Sequence, residues 1–449
     1  MGAVLAVFLF LSPMSRNFYK PGRPRRPTPN RPAFLKPARE TFEICIEKMV
    51  QGGEGMARLP DGRVCFVAGA LPGELCKVAL TFAKKDFTRG RAVEILEPSP
   101  DRVEPRCPLY GKCGGCSLQH LDSEKQAEYL ARVERENFRR IARIDLPEDF
   151  KVHTGPAWGY RNRARVVVTC DRAGEKDIVR FGFRMPESNR IALFKECPVL
   201  SPALNGFLQD KAREIFAGKF RRGSETDVNL FDNGAGDVRF YCGTDRHDAR
   251  GPSALGIQSS DPSCVVPVAG KNVHAGAEVF FQSNLSLLPS LVQAVRDAVD
   301  EGLASGEASD SWLIDLFSGV GFFAAMLEDK FKRVTTVERD DNCLRYAKIN
   351  LSEKCESVSA PAEDWLQENV VDTPATLIVD PPRTGLPPSC TAALAASSVN
   401  RLIYVSCDPV TLARDTAVLA QSGFKIRRAE AFAFYPQTPH LEMMLVLAR

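Results

Sequence analysis

Asp315-Leu-Phe-Ser-Gly-Val-Gly321 follows one apolar run, Trp312–Phe317, and opens another, Phe322–Lys330. An apolar run, two glycines and a helical pattern read as strand, tight turn and helix, because glycine takes positive φ and lets a ligand approach the backbone. Gly319, Gly321 and Ala324 fit the permissive form of a nucleotide-loop spacing. The helix N-terminus beyond them offers free N–H donors. Strand and helix patterns then alternate: strand Arg333–Glu338, helix Asp341–Leu351, and strands Ala375–Asp380, Leu402–Ser406, Lys425–Phe434 and Glu442–Leu447. This alternation predicts a doubly wound, Rossmann-like α/β domain over residues 291–449. Its ligands should bind beyond the carboxyl ends of the strands.

Glu338 ends the second strand, 19 residues after Gly319, where an acid can hold both ribose hydroxyls. An acid at the end of the first strand, Asp315, suits a cationic methionine moiety and not a pyrophosphate. S-adenosylmethionine is therefore expected over NAD, and no hydride-handling constellation accompanies the loop. Asp380-Pro-Pro-Arg383 closes the next apolar strand. Amino-methyltransferases carry a similar element with an aromatic in place of Arg383, so a base amine is a less natural substrate here. Tyr404-Val-Ser-Cys-Asp-Pro409 puts Cys407 at a strand end, where a nucleophile belongs, although small buried cysteines are common. A thiol pKa of about 8.5 means that it needs activation. A thiolate has a clear use in methylating a pyrimidine at C5. Addition at C6 makes C5 carbanion-like, and after methylation a base must remove the C5 proton. Glu442, in His440-Leu-Glu442, is the candidate base; a solvated strand-end acid is the plain alternative.

Outward from this core the composition changes. The 449 residues are 44% hydrophobic and 26% charged, which excludes wholesale disorder. Ala3–Leu11, the one strongly apolar run, is too short to span a bilayer. No Lys or Arg precedes it, and Met14 offers a second start. Residues 1–40 hold eight Lys or Arg against Glu40, a charge of +7; the net +3 leaves −4 for the rest. With Pro at 21, 24, 27, 29, 32 and 37, this stretch reads as a disordered basic arm that touches RNA or is simply solvated. Residues 41–98 show short β runs (Phe42–Ile46, Arg63–Val67, Cys76–Phe82, Arg91–Ile95) split by Gly and Pro, the pattern of a small OB-like barrel. Residues 99–290 read as a mixed α+β region that starts with a helix carrying five Arg between 132 and 143. Basic residues also gather at 161–165 and 219–222.

The chain has fourteen cysteines. Cys107-Pro-Leu-Tyr-Gly-Lys-Cys113-Gly-Gly-Cys116 crowds three of them onto a glycine-rich loop, and Cys197, in Lys195-Glu-Cys-Pro198, has a matching Cys-Pro context. Clustered thiols without a secretion signal point to a metal in a reducing compartment, and zinc and a [4Fe–4S] cluster both fit.

Taken together, these motifs resemble the RNA uracil-C5 methyltransferase family, most of all its 23S rRNA branch with a TRAM domain and an iron–sulfur cluster. The likeness runs from Phe42 to the C-terminus and rests on Gly52-Gly-Glu-Gly-Met-Ala57, Leu71-Pro-Gly-Glu74, Cys113-Gly-Gly-Cys-Ser-Leu-Gln-His-Leu121, Phe280-Phe-Gln-Ser-Asn284, Asp380-Pro-Pro-Arg383 and Cys407. It implies a TRAM-like RNA-binding barrel and a [4Fe–4S] cluster on Cys107, Cys113, Cys116 and Cys197. It implies Cys407 as nucleophile, Glu442 as base, and Arg165 as support for the Asp380–Arg383 loop. For S-adenosylmethionine it implies Gln282, Phe317, Gly319, Gly321, Glu338, Asp364 and Asp380. Phe322 stands where the family usually has Asn, so one polar contact to the cofactor is lost. The expected protein is a cytoplasmic, monomeric RNA (uracil-5-)-methyltransferase with no membrane partner. Its expected substrate is structured RNA: rRNA, with tRNA uridine-54 and a non-catalytic RNA-binding role as the rivals.

Overall fold

The computed structural model describes residues 40–449, apart from 148–149, 174–175, 187, 218–224, 243–260, 370 and 372. The basic arm and the basic cluster at 219–222 lie outside the described residues.

The first sheet joins β1 (Thr41–Cys45), β2 (Lys48–Met49), β3 (Gly55–Arg58), β4 (Val64–Ala68), β5 (Leu75–Ala83) and β6 (Phe87–Glu97) in the order β1-β5-β6-β4-β3-β2. Alternate residues such as Ala57, Cys65, Val67, Cys76 and Val78 are fully buried and form its core. The first and last strands of that order are separated by Ile46 and Glu47 alone. Ile46 N–H donates to Glu74 O and Glu47 N–H to Met56 O, so one continuous chain closes the sheet into a barrel. Glu74 is fully buried yet satisfied: Arg102 grips it through Nε at 2.5 Å and Nη2 at 2.8 Å, and the N–H groups of Leu71 and Ser99 donate to it. Burial alone would raise its carboxyl; the Arg102 bonds and the N–H groups of Leu71 and Ser99 together outweigh that and hold it below the usual range.

The Arg-rich stretch is an α-helix, Ser123–Asn137, capped by Asp122, and it runs on into a π-helical turn, Phe138–Ala142. Its buried side chains join the core of the large sheet. β7 (Lys151–His153) follows. Next come β8 (Arg163–Ala173), β9 (Lys176–Arg184), β10 (Ile191–Phe194), β11 (Glu225–Asp232) and β12 (Val238–Cys242), an antiparallel sheet ordered β10-β9-β8-β11-β12. A hairpin, β13 (Ser263–Val268) and β14 (Lys271–Gly276), completes this region.

The large sheet adds β15 (Trp312–Leu316), β16 (Arg333–Glu338), β17 (Cys355–Ser359), β18 (Thr376–Val379), β19 (Arg401–Ser406), β20 (Lys425–Phe432) and β21 (Glu442–Ala448). Its order is β17-β16-β15-β18-β19-β21-β20-β7. β15 to β19 are parallel; β21 lies antiparallel between β19 and β20, and β7 pairs parallel with β20. Helices Leu288–Ser305, Phe322–Leu327 and Asp341–Asn350 pack into one core, and Ala362–Glu368, Pro388–Ala396 and Pro409–Gln421 into another. This is the doubly wound architecture expected from the sequence. Strand order reverses between β15 and β18, which opens the ligand crevice there. Among the described residues no helix is long and apolar enough to cross a membrane.

Candidate active site

The loop after β15 turns sharply, with φ of +59° at Phe317, +52° at Gly319 and +76° at Gly321. Positive φ is cheap for glycine but costs about 1–3 kcal/mol at a side-chain-bearing residue, so Phe317 marks stored strain. Glu338, at the end of β16, fixes the turn. Its Oε2 accepts from Gly319 N–H at 3.0 Å, and its Oε1 accepts from the N–H groups of Arg339 and Asp340. Beneath the loop Asp315 is 1% exposed. Its Oδ2 accepts from Ala324 N–H at 3.0 Å, while Oδ1 has no partner. Gln282 Oε1 and Ser318 Oγ are also buried and unpaired. Burial pushes the Asp315 carboxyl up to about 8, against the Ala324 bond, and the two charged groups that raise it further, Asp380 and Glu338, are both acids. Buried acceptors without donors, and acids without a counter-cation, fit a ligand that brings N–H and O–H donors and positive charge.

β19 and β21 pair with Ser406 opposite Met443, so the next step in each strand sets Cys407 against Glu442. Val379, just before Asp380, pairs with Tyr404 on the other side of β19. The structure thus brings Asp380, Cys407 and Glu442 to one edge of the crevice. Glu442 is 2% exposed. Burial, then Asp380, raise its carboxyl well above the usual range, and Arg383 pulls the other way. Burial raises Asp380 to about 7. The Cys407 thiol is pushed up to about 12 by burial, Glu442 and Asp380, again against Arg383. Both carboxyls are thus held closer to their protonated form than an ordinary acid.

The loop carrying Arg383 is clamped to the helix that follows Cys407. Asp415 Oδ2 accepts from Leu386 N–H at 2.8 Å and from Tyr404 Oη–H at 2.7 Å. Arg414 donates to Thr384 O, and Thr411 Oγ1 to Arg383 O. Two further groups face the thiol side, and neither is among the residues expected from sequence as catalytic. Tyr435 is raised by burial, then by Glu442 and Cys407, and His440 is lowered by burial, then by Arg383. The turn signal of Pro436 and Pro439 just before β21 is the feature that would have marked this segment.

Other expected residues take varied places. Gln282 is buried beside the loop. Arg163 secures the approach to it, donating to the carbonyls of Gly276, Ala277 and Val279 while its guanidinium lies 4.4 Å from the Phe231 ring. Phe322 packs edge-on against Phe281, with centroids 5.6 Å apart, and belongs to the core. Asp364 is exposed in the first turn of helix Ala362–Glu368, where it acts on the Cys390 thiol. Arg165 is held by Asp227 at 2.8 Å and lines the cysteine cavity.

Cys107, Cys113, Cys116 and Cys197 line one cavity of about 440 Å³, together with Arg161, Arg165 and Arg184. Burial raises the thiols of Cys113 and Cys197, and brings Cys116 to about 11, with the other cysteines adding to each. Among the described residues no three metal-ligating side chains converge tightly enough to hold a single metal ion.

Known proteins share this organisation. The family described as tRNA (Uracil-5-)-methyltransferase matches residues 371–449, and the TRAM domain matches residues 38–93. The 23S rRNA (uracil(1939)-C(5))-methyltransferase RlmD of Chromohalobacter salexigens is 34% identical over 90% of this chain and 89% of its own. Its counterpart in Halomonas elongata is 31% identical over the same shares. Among solved structures, the Pyrococcus abyssi tRNA (uracil-54, C5)-methyltransferase in complex with S-adenosyl-L-homocysteine covers 91% of this chain at a TM-score of 0.65 and 23% identity.

Proposed function

The chain belongs to the RNA uracil-C5 methyltransferase family, and on that premise we propose that it makes 5-methyluridine in 23S rRNA, as a cytoplasmic monomer, with Cys407 as nucleophile and Glu442 as base. The observation that carries the reading is the register that sets Cys407 against Glu442 beside Asp380. S-adenosylmethionine, when bound, supplies the methyl group and a positive charge. The residues fitted to it are Asp315, Glu338, Gln282 and Asp380, with the backbone at Phe317, Gly319 and Gly321. The unpaired acceptors of Asp315 and Gln282 support this assignment. Phe322 contributes packing.

A uridine must leave its stack to reach this edge, at a cost of a few kcal/mol that is least in a loop. Burial, then Glu442 and Asp380, keep the Cys407 thiol protonated; a cation beside Asp380 would ease the Asp380 share, and the thiol would release its proton to water. The thiolate adds to C6 and the C5=C6 electron pair shifts toward O4. C5 would then take the methyl group from the sulfonium, whose S–CH3 bond would break with its electron pair kept on the departing thioether sulfur. Glu442 removes the C5 proton, the C5–H pair restores the double bond, and the C6–S bond breaks to release the thiolate.

The four-thiol cavity is assigned a [4Fe–4S] cluster with a structural role, since methyl transfer needs no electron. Four thiols lining one cavity support a metal site there, and the choice of a cluster over zinc follows the family resemblance. Anaerobically purified protein should be brown and contain iron and sulfide; a colourless protein with one zinc would defeat the assignment.

Mass-spectrometric mapping of 5-methyluridine with and without the gene tests the substrate. Loss of the modification from tRNA and not from 23S rRNA would sink the rRNA reading. Cys407→Ala should abolish both methylation and the covalent adduct with 5-fluorouridine RNA, and persistence of the adduct would remove Cys407 from its role.

A further inference from the structure

Gln437 is a strained residue held through its backbone and its Oε1, while its Nε2 is buried without a partner. It is 1% exposed, yet its φ is +70°, which a side-chain-bearing residue adopts only when its surroundings impose it. Its carbonyl accepts from two consecutive N–H groups of the cysteine loop, Ser117 and Leu118, both at 3.0 Å. Its own N–H donates to Gln126 Oε1 at 2.7 Å, and its Oε1 accepts from Gln126 Nε2 at 3.0 Å. Gln126, buried on helix Ser123–Asn137, also donates from Nε2 to the carbonyls of Leu118 and Leu121, so one amide ties the cysteine loop to Gln437.

The neighbouring residues are anchored as well. Tyr160 Oη–H donates to Pro436 O at 2.8 Å, and Asn284 Nδ2 to Phe434 O at 3.0 Å. The barrel meets the segment at Gly53, where an added Cβ would lie 2.9 Å from Leu118 Cδ2 and 3.2 Å from Pro439 Cβ. The segment so pinned, Tyr435–His440, ends two residues before Glu442, and the charges of Glu442 and Cys407 act on the Tyr435 hydroxyl. The barrel, the cysteine loop and the Arg-rich helix therefore converge on the residues just before the base.

We propose that Gln126 and Gln437 are positioning residues for the proton-removal step, holding Tyr435–His440 so that the Glu442 carboxylate reaches the C5 proton of the covalent intermediate. This rests on the reading of Cys407 and Glu442 given above. Glu442 takes the proton, the C5–H electron pair becomes the C5=C6 bond, and the C6–S pair returns to Cys407. A misplaced base slows this step and leaves the earlier addition alone. The cysteine loop thereby acquires a role in the chemistry, because its fold fixes the base segment.

The test uses the full chain with RNA substrate and S-adenosylmethionine. Gln126→Leu should lower kcat about tenfold to a hundredfold, the scale of a 1 Å misplacement, with KM for RNA little changed. A covalent protein–RNA adduct should then accumulate on ordinary uridine RNA and be visible on a denaturing gel. Formation of the 5-fluorouridine adduct, which precedes proton removal, should keep its rate. Gln437→Gly keeps the backbone bonds and relieves the strained φ, so it folds even if Gln126→Leu does not, and it should show the same adduct with a smaller loss of kcat. The proposal is overturned if kcat is unchanged in both variants, or if it falls without adduct accumulation. Parallel slowing of 5-fluorouridine adduct formation would also overturn it, as a merely structural role predicts. If the parent protein forms no 5-fluorouridine adduct, the covalent reading itself fails, and that outcome is distinct from the others.

Discussion

Cofactor binding should release protons, and Asp315 sets how many. In the free protein its carboxyl stands at about 8, because it is fully enclosed and its charged neighbours are acids. About nine-tenths of it is therefore protonated at pH 7 and about 99% at pH 6. A sulfonium and an ammonium beside it favour the carboxylate, so binding expels the proton. The sign follows: affinity rises with pH and levels off above the free-state pKa. For one fully expelled proton, Kd is about tenfold above its plateau at pH 7 and about a hundredfold above it at pH 6. Asp380, at about 7, contributes a further fraction. Titration calorimetry at pH 7 in buffers of different ionisation enthalpy should count between about one and one and a half protons released. Asp315→Asn cannot ionise, so it should lose the Asp315 share and flatten the pH dependence to that of Asp380. Zero protons released, with Kd constant between about pH 6 and pH 8.5, would refute the reasoning that the pocket stores uncompensated acid for a cationic ligand.

Other expectations are more local. Glu442→Gln should form the covalent adduct with ordinary uridine RNA and fail to resolve it, with turnover down by about 10²–10⁴-fold; equal loss of adduct and product would deny it the base role. Gly385 has φ of +72°, and a Cβ there would stand 2.6 Å from Asp415 Oδ2. Gly385→Ala should therefore cost about 1–3 kcal/mol and loosen the Arg383 loop; an unchanged melting temperature would contradict the clamp. Glu74→Gln breaks the buried pair with Arg102 and should cost about 3–5 kcal/mol, read by denaturant unfolding of the barrel.

Much of this architecture is legible in the sequence, and the reason lies in which constraints are local. The glycine loop is visible because positive φ demands glycine at Gly319 and Gly321, between two apolar runs. The succession of strands along the chain and the identity of Cys407 and Glu442 as strand-end residues follow from equally local patterns. Their juxtaposition does not, because it depends on β21 entering antiparallel beside β19, a pairing no local pattern encodes. β17 escapes sequence reading because Cys355-Glu-Ser-Val-Ser359 is a half-exposed edge with little apolar signal. β3 is hidden within the glycine-rich stretch that reads as turn. Arg165 carries the expected residue type, but its strand points it toward the cysteine cavity. Gln126 and Gln437 are chemically ordinary, and only their mutual geometry gives them meaning.

β7 has a further consequence, for modularity. Three residues from the first half of the chain, Lys151–His153, form the outer strand of the large sheet, and His153 stacks on Phe432 with ring centroids 4.4 Å apart. Leu130, Phe138 and Leu146, from the same half, are part of the core beneath it. A polypeptide starting at residue 291 would contain Asp380, Cys407 and Glu442 but lack Gln282, and it would leave β20 as a naked edge beside an uncovered apolar face. Such an edge recruits strands from other molecules. The excised fragment should aggregate, so swapping RNA-binding modules between such enzymes would require carrying residues from about 120 to 155 along with the transferase half.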